Sequence, residues 1–349
     1  GRTRAVQIQS TTFGLRAALA AREHNHPSHS VSTPDCGRCL QLTTATRSDM
    51  TILWLITDNK PGHRSQLQGL AQALAARTKV DAHWIDAPAG RSALWHWLAG
   101  RFPPGAGLPD PDLILVAGHR THLAGLAARR ARGGRLIALM RPSLPMRWFD
   151  LCVIPQHDAP PARANVIATR GVLNTARPSA ERADDRGLFL IGGPSKHHGW
   201  DTAGLLAQLD AILAATPDMR WTLTTSRRTP ADTEAALLAL RERGVDVRPV
   251  RDTPPGWAME QVARSARAWV TEDSVSMVYE SLTAGAATGL LAVPRLGETR
   301  ITAGVAELQR AGLVTAFADW VRTGQLAAPL ERLAEADRVA EAVLARFRR

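Results

Sequence analysis

The feature that most constrains the fold is a repeated alternation of short apolar runs with segments of helical periodicity. The apolar runs have the length of buried strands, and they lie at 51–57, 113–118, 136–140 and 151–155, then at 187–193, 220–226, 267–273 and 290–294. Strands that alternate with helices predict parallel sheets covered on both faces. The sequence therefore predicts an α/β fold with two Rossmann-like, doubly wound domains facing a cleft, where such domains bind ligands.

Composition divides the chain into four segments. Residues 1–49 are polar and acid-poor, and we expect a disordered or non-native N-terminal extension there. We expect an N-terminal Rossmann-like domain at 50–180, a C-terminal one at 181–328 and a C-terminal amphipathic helix at 329–349. The polar, turn-rich stretch 171–186 is the best candidate for the linker between the two domains.

The charge of the chain favours anionic partners. The formal net charge is +11, and all 43 basic residues except Lys60, Lys79 and Lys196 are arginines. Small anions or the inner face of a membrane fit this charge. A nucleic-acid partner is not expected, because no basic motif with interleaved aromatics occurs and Tyr279 is the only tyrosine. The arginine-rich composition is typical of a GC-rich bacterium.

Two simple expectations concern compartment and metal. No run approaches the roughly 18 apolar residues of a membrane span, and three cysteines suit a reducing compartment, so we expect a soluble, cytoplasmic protein. A single Cys-x-x-Cys at Cys36 and Cys39 lacks a second pair. The adjacent His197 and His198 point in different directions. We therefore expect no metal site.

Two loops that follow predicted strands carry residues suited to anion binding. The first contains Asp58, Asn59, Lys60, Gly62 and His63, and the second, in the same position of the second domain, contains Gly192, Gly193, Ser195 and Lys196. Two of the three lysines of the chain lie in these loops, and an ammonium group is a compact partner for phosphate. Neither loop is a dinucleotide fingerprint or a P-loop. Ordinary turns are the alternative interpretation of both.

Two further features follow strands. His119 comes at the end of a buried strand, where groups of a cleft are expected, although a lone histidine is often structural. In the second domain, Ser274 or Asp273 is predicted to cap a helix, Ser276 lies in its first turn, and Glu280 lies one turn further on the same face. The alternative is a helix cap with a solvated glutamate. Hydrolases are disfavoured, since no serine elbow or cysteine–histidine pair occurs.

Four motifs in order, ITDNKPGHRSQLQGLAQAL, VAGHRTH, IGGPSKHHGWD and VTEDSVSMVYESLTAG, resemble the Elm-type mitochondrial-fission (elongated-mitochondria) family over about 50–325. The resemblance implies a GT-B-like architecture and, in the bacterial branch, a glycosyltransferase that uses a nucleoside-diphosphate sugar as substrate and no other cofactor. The segment LTAGAATGLLAVP departs from the Gly-Lys-Pro or Gly-Arg-Pro that many glycosyltransferases have there. The acceptor is unknown.

The resemblance also implies roles for residues. The C-terminal domain becomes the nucleotide-sugar side, with donor-binding candidates Gly192, Gly193, Ser195, Lys196, Thr225, Ser226, Arg227, Ser274, Ser276 and Glu280. The N-terminal domain becomes the acceptor side, with Asn59, Lys60, Gly62 and Arg141 facing the acceptor or the transferred sugar. An inverting enzyme needs a general base, for which His119, His63 and Asp58 are candidates, whereas a retaining enzyme relies more on stabilising the departing diphosphate.

Two other functions remain open at this point. A nucleotide-sugar epimerase can be built on the same fold and forms its product without any acceptor. The plant relatives are linked to recruitment of fission machinery, so a scaffold or peripheral membrane adaptor is the alternative outside enzymology. Loops rich in Gly, Lys, Ser and Glu on both predicted cleft walls favour ligand binding.

Overall fold

The computed structural model describes residues 50–297, 300–327 and 332–347. The predictions made for residues 1–49, including those for Cys36 and Cys39, lie outside the described residues. In the described part, no helix combines the length and the apolar character that crossing a bilayer requires.

Two six-stranded parallel sheets form the framework, which confirms the predicted α/β class. The first sheet has the strand order β2-β1-β3-β4-β5-β6 and the second β12-β11-β10-β7-β8-β9. The strands of the first sheet are β1 Met50–Thr57, β2 Lys79–Asp86, β3 Leu113–Ala117, β4 Arg135–Leu139, β5 Leu151–Pro155 and β6 Val166–Thr169. Those of the second are β7 Ala183–Leu190, β8 Arg220–Thr224, β9 Asp246–Arg248, β10 Ser265–Thr271, β11 Ala287–Leu291 and β12 Val314–Ala316.

Helices cover both faces of each sheet. They are α1 Pro61–Ala75, α2 Gly90–Ala99, α3 His119–Arg132, α4 Thr202–Ala215, α5 Ala231–Leu238, α6 Trp257–Arg264, α7 Val275–Ala284, α8 Arg300–Arg310, α9 Phe317–Thr323 and α10 Glu335–Phe347. We call the first sheet with α1, α2, α3 and α10 the first lobe, and the second sheet with α4 to α9 the second lobe.

The burial of the central strands explains their continuous apolar sequences. All five residues of β3 are buried, because helices pack on both sides of the sheet. Along β1, Leu53 and Leu55 enter one apolar cluster, while Trp54 and Ile56 enter another on the opposite face. This alternation follows from the two-residue period of a strand. The carboxyl ends of the parallel strands of each sheet lie at one edge, where the loops after β1, β3, β7 and β10 are found.

The segment 171–186 is not the free polar linker that the sequence predicted. β7 begins inside it, and Leu173, Asn174 and Ala176 are buried. The side-chain amide of Asn174 donates to the hydroxyl of Thr283 in α7 at 3.1 Å. The backbone carbonyl of Asn174 lies so close to Gly69 of α1 that a β-carbon at Gly69 would overlap it. The segment packs against both lobes. Isolated buried positions in extended chain leave no periodic signal, which is why the sequence missed them.

The C-terminal helix completes the core of the first lobe. α10 is shorter than the predicted 329–349, and residues 328–331 and 348–349 lie outside the described part. Its Val339, Ala340 and Val343 join the apolar cluster that α1 and β1 form. Arg77, just beyond the end of α1, donates to Asp337 at 2.9 Å. The chain therefore returns from the second lobe to the first.

Candidate functional site

The loop after β1 holds a carboxylate and a histidine in contact at the edge of the first sheet. His63 Nδ1 lies 2.9 Å from Asp58 Oδ1, and the two side chains are 19% and 1% exposed. The backbone N–H of Lys60 also donates to Asp58, at 3.2 Å, and the Lys60 ammonium lies 3.9 Å from its second oxygen. The carboxylate is thus buried behind a histidine that solvent can reach.

The electrostatics of this pair keep Asp58 ionised. Burial by itself raises the pKa of Asp58, but the hydrogen bonds from His63 and from the Lys60 N–H, with the charges of both residues, outweigh burial and hold the pKa below its usual value. A carboxylate at Nδ1 favours the tautomer that carries the proton there. Nε2 of His63 is then the basic nitrogen, so the pair has the form of an oriented general base.

The turn between β3 and α3 closes on this pair because residue 118 is glycine. Gly118 has φ 90°, and a β-carbon there would overlap the His63 ring and lie 3.1 Å from Asp58 Oδ2. His119 follows at once and begins α3 with an exposed side chain. The structure therefore brings Asp58, His63 and His119 to one place.

His122, which the sequence analysis missed, lies one turn further along α3. It is 2% exposed, accepts the backbone N–H of Ser143 at Nδ1 (3.4 Å), and packs edge-on against Phe149. Its Nε2 has no hydrogen-bond partner among the described residues. Burial, with the charges of His119 and His63, lowers the pKa of His122 to about 4, so the ring is neutral. Its three-residue spacing from His119 was the available signal.

The other candidates of the first lobe have different surroundings. Asn59 adopts φ 61° and donates its side-chain amide to Asp86 at the end of β2, at 2.8 Å. Gly62 lies in the first turn of α1 with open space where a β-carbon would be. Arg141 is exposed and donates to the carbonyls of Asp158 and Ala159, at 2.9 and 3.2 Å. No described hydrogen bond or ion pair links Arg141 to the Asp58–His63 pair.

At the corresponding edge of the second lobe, the glycines after β7 serve packing. The N–H of Gly192 donates to Thr271 Oγ1 at 2.8 Å, and the N–H of Gly193 donates to Asp273 at 3.1 Å. A β-carbon at Gly192 would overlap the Asp273 carboxylate, and one at Gly193 would overlap the carbonyl of Arg228. The backbone N–H groups of both glycines are thus occupied in the structure. Binding of the nucleotide sugar by Gly192 and Gly193 stays a prediction, but it would not use these two N–H groups.

The buried carboxylate of Asp273 forms an ion pair with the partly exposed Arg228, which the sequence analysis missed. The Asp273 carboxylate has no exposed area, and Arg228 donates to it at 2.6 Å. The prediction that Ser274 or Asp273 caps α7 through a side-chain oxygen is wrong: Ser274 occupies the N-cap position without a side-chain capping bond, and the Asp273 carboxylate contacts Arg228. Arg227, the residue chosen from the sequence, is exposed. Because the two arginines are adjacent and alike, the sequence does not indicate which one contacts Asp273.

Three hydroxyl groups predicted to bind the donor hold loops together instead. Ser195 Oγ accepts the N–H groups of His197 and His198, at 3.2 and 3.1 Å. Thr225 Oγ1 donates to Glu234 at 2.9 Å. Ser226 Oγ accepts the N–H of Arg228 at 3.1 Å. Their direct binding of a donor stays a prediction.

The remaining candidates of the second lobe are accessible. Lys196 and Ser276 are exposed, and Glu280 of α7 is half-buried. None of the three side chains has a hydrogen bond or ion pair in the described part of the chain. Burial raises the pKa of Glu280 to about 7. A carboxyl group that is desolvated without a partner is suited to accept hydrogen bonds from a ligand.

A cavity of about 330 Å³ lies where the two lobes meet. Tyr279 of α7 packs there against Gly171, so closely that a β-carbon at Gly171 would overlap its ring. None of the candidate site residues lines the cavity. Its lining consists of Gln156, His157, Arg170, Tyr279, Gly304, Glu307, Leu308, Ala311 and Leu313. Among the described residues there is also no group of three or more His, Cys, Asp or Glu side chains that could hold a metal ion.

Comparison with known proteins assigns the chain to a family. The model of the family described as mitochondrial fission ELM1 matches residues 61–347. No curated protein matches the chain. A solved structure assigned as a UDP-N-acetylglucosamine 2-epimerase from Listeria monocytogenes is similar, with a TM-score of 0.56 and 12% identity over 85% of this chain and 97% of that one.

The UDP-GlcNAc 2-epimerase from Methanocaldococcus jannaschii is also similar, with a TM-score of 0.53 and 10% identity, covering 85% of this chain and 99% of that one. At these identities the likeness concerns the fold, and it confirms the expected GT-B architecture of two facing Rossmann-like units. The family match covers most of the chain and confirms the resemblance found in the four motifs. The chain is a member of the mitochondrial fission ELM1 family with a GT-B fold.

Proposed function

We propose that this protein is a nucleotide-sugar-dependent glycosyltransferase in which the second lobe binds the nucleotide and the first lobe supplies the base. The observation that carries the proposal is the Asp58–His63 pair, with its 2.9 Å contact, buried carboxylate and accessible imidazole. A scaffold has no need of a desolvated carboxylate held behind an accessible histidine. Burying such a carboxylate costs free energy, which a catalytic role explains.

The chemistry follows from the two nitrogens of His63. Nε2 removes the proton of an acceptor hydroxyl as its oxygen attacks the anomeric carbon of the sugar. The bond from that carbon to the diphosphate breaks, and the nucleoside diphosphate leaves with the bonding electron pair. Ionised Asp58 stabilises the imidazolium that forms. A base on the acceptor side favours inversion. His119 is the second candidate base, but no described carboxylate orients it.

Binding of the nucleotide is proposed for the accessible groups of the second lobe. Glu280 accepts hydrogen bonds from the ribose hydroxyls, and the exposed cations Lys196 and Arg227 are the partners of the diphosphate. The first turn of α7 at Ser276 contributes free N–H groups, whereas the N–H of Ser274 already donates to the carbonyl of Thr271 at 3.1 Å. The likeness to two UDP-N-acetylglucosamine 2-epimerases supports a nucleotide sugar as the ligand.

That likeness also favours a second candidate, epimerisation of a nucleotide sugar. The two reactions differ in their need for an acceptor. Transfer releases nucleoside diphosphate only when an acceptor hydroxyl is present, whereas epimerisation converts the sugar without one. A scaffold or peripheral adaptor requires no nucleotide at all.

The test begins with binding. UDP, GDP and ADP are titrated into the full chain by calorimetry, and the sugar form of any ligand that binds is incubated with and without a membrane extract as acceptor source. We expect binding of one nucleotide and acceptor-dependent release of it. A new sugar isomer without acceptor establishes the epimerase instead. Failure of all three nucleotides to bind contradicts both enzyme proposals and favours the scaffold.

A further inference from the structure

Helix α2 of the first lobe presents an apolar face to solvent. Leu94, Trp95 and Leu98 are 44%, 71% and 54% exposed, and these three lie within two turns of one helix. The opposite face is covered, since Ala93 is buried and Trp97 is half-buried against α3. A helix that covers a parallel sheet usually has an apolar face toward the core and a polar face toward solvent, whereas both faces of α2 are apolar. The exposed residues therefore need an explanation outside the packing of the fold.

The charge around this face has one sign. Arg91 precedes Leu94 by three residues and Arg101 follows the end of the helix, and both are exposed. Residues 87–109 contain neither Asp nor Glu. From the neighbouring α3, the guanidinium of Arg130 lies 5.7 Å from the centre of the Trp97 ring and adds a further positive charge. We call Arg91, Leu94, Trp95, Leu98 and Arg101 the α2 surface.

We propose that the α2 surface docks on an anionic lipid bilayer. Tryptophan is favoured at the boundary between headgroups and acyl chains, where an apolar ring with a polar N–H is well solvated. Leu94 and Leu98 enter the same boundary region, and Arg91 and Arg101 contact lipid phosphates at its rim. An apolar face bordered by arginines, in a segment without carboxylates from 87 to 109, is complementary to anionic headgroups.

A second copy of the chain fits this surface poorly. Three large apolar side chains on a ten-residue helix offer far less than the roughly 800 Å² per partner that a stable dimer buries. A two-fold contact through the same face also places Arg91 and Arg101 of each copy against like charges. No carboxylate between 87 and 109 relieves that repulsion. The docking does not depend on the proposed activity.

The test is co-sedimentation of the full chain with vesicles of phosphatidylcholine alone or mixed with phosphatidylglycerol. We expect binding to the mixed vesicles that weakens at high salt. Trp95→Ser and Arg91→Glu are each expected to lower the partition coefficient by about tenfold. Leu296→Ser, which removes a 65% exposed leucine from the second lobe, serves as the matched control and is expected to bind like the wild type. The wild type and the three variants have the same arginines outside the α2 surface, so differences in binding among them report on that surface.

Unfolding midpoints of the variants are expected to equal that of the wild type, since Trp95 and Arg91 are exposed. No co-sedimentation of the wild type with mixed vesicles overturns the proposal. Equal binding by Trp95→Ser, Leu296→Ser and the wild type overturns it too, because attraction then comes from the overall positive charge. If light scattering shows a wild-type dimer that Trp95→Ser dissociates, the α2 surface is a contact between two copies and the proposal fails.

Discussion

In both lobes a buried carboxylate lies at the carboxyl edge of the sheet, but the two carboxylates have different partners. Asp58 contacts His63, whose ring is still open to solvent. Asp273 contacts Arg228 and the N–H of Gly193, and it has no exposed area. In the proposed reaction the carboxylate of the first lobe prepares an accessible group for proton transfer, whereas the carboxylate of the second lobe fixes a loop.

The accessible acid of the second lobe is Glu280 instead, and its chemistry differs from that of Asp58. The pKa of Asp58 is held below its usual value by hydrogen bonds, while burial without a partner raises the pKa of Glu280 to about 7. Asp58, whose carboxylate already has hydrogen-bond donors, is suited to orient the proposed base His63. Glu280, whose carboxyl group has no described partner, is suited to bind a ligand. The comparison therefore divides the proposed reaction between the lobes.

The largest expected effect comes from removing the base of the first lobe. His63→Ala should lower turnover by about 10²- to 10⁴-fold and leave nucleotide affinity unchanged, because proton transfer is lost and the second lobe is untouched. Steady-state kinetics and calorimetry on the same preparation measure the two quantities. His83→Ala is the matched control, since Nε2 of His83 lies 3.1 Å from Asp81 without a hydrogen bond, in the middle of β2 and away from the carboxyl ends of the strands. Equal losses in the two variants would contradict the assignment.

Breaking the contact between Asp273 and Arg228 in the second lobe should cost stability. Asp273→Asn removes the charge that accepts from Arg228, whose own side chain is 42% exposed, and is expected to lower the free energy of unfolding by about 1–3 kcal/mol. Urea denaturation measures this change. Asp185→Asn removes an exposed partner of Arg220 and is expected to leave the midpoint unchanged. A mild effect of Asp273→Asn would show that the pair is not structural and that Asp273 is available to a ligand.

His122 predicts how stability depends on pH. Its pKa is about 4 in the folded protein, below the ordinary 6.5 of the unfolded chain, so the unfolded chain binds the proton first as the pH falls. The free energy of unfolding should therefore decrease between pH 6.5 and 4, by up to about 3 kcal/mol from this group. Urea midpoints across that range test it. His122→Asn should flatten the slope, whereas His119→Asn should flatten it only slightly, because burial is the larger cause of the lowered pKa of His122 and the charge of His119 the smaller one.

Removing the free acid of the second lobe should weaken nucleotide binding in a pH-dependent manner. The ionised carboxylate of Glu280 accepts hydrogen bonds from ribose, so affinity should rise between pH 6 and 8 as a group with a pKa of about 7 loses its proton. Glu280→Gln should lose about 1–3 kcal/mol of binding free energy at pH 8 and show only the pH dependence of the ligand itself. Parallel pH profiles of the two proteins would show that Glu280 is not in the site.

The smallest effect concerns Gly62 at the start of α1. Open space surrounds the position of its missing β-carbon, so Gly62→Ala should stabilise the fold by about 0.5–1 kcal/mol through the unfolded chain. A ligand that approaches the backbone there would be hindered by the new methyl group. Thermal unfolding and turnover of the same variant separate the two roles. Unchanged turnover would remove Gly62 from the acceptor side.

Local sequence was sufficient for the elements and for the order of the loops. The five apolar residues of β3 and the recurrence of strand and helix in both halves predict two parallel sheets. The approach of His63 to Asp58 follows from their five-residue spacing across the end of a strand and the start of a helix. These features depend on neighbours in the chain, which the sequence shows directly.

Features that depend on contacts between distant segments could not be predicted. Arg228 is the arginine that contacts Asp273, which lies about 45 residues away along the chain. The local sequence therefore does not distinguish Arg228 from Arg227. Asn174 is buried because α1 and α7 meet at it. The sequence analysis identified no helix at 90–99, so α2 and the exposure of Trp95 on it appear only in the structure.

The most direct test of the division between the lobes is calorimetric titration of UDP into the wild type, Lys60→Ala and Glu280→Ala. If the second lobe holds the nucleotide, Lys60→Ala binds UDP like the wild type and loses only turnover. Glu280→Ala then binds UDP with a free energy that is weaker by about 1–3 kcal/mol. Loss of UDP binding in Lys60→Ala, together with wild-type affinity in Glu280→Ala, would reverse the roles of the two lobes and contradict the account.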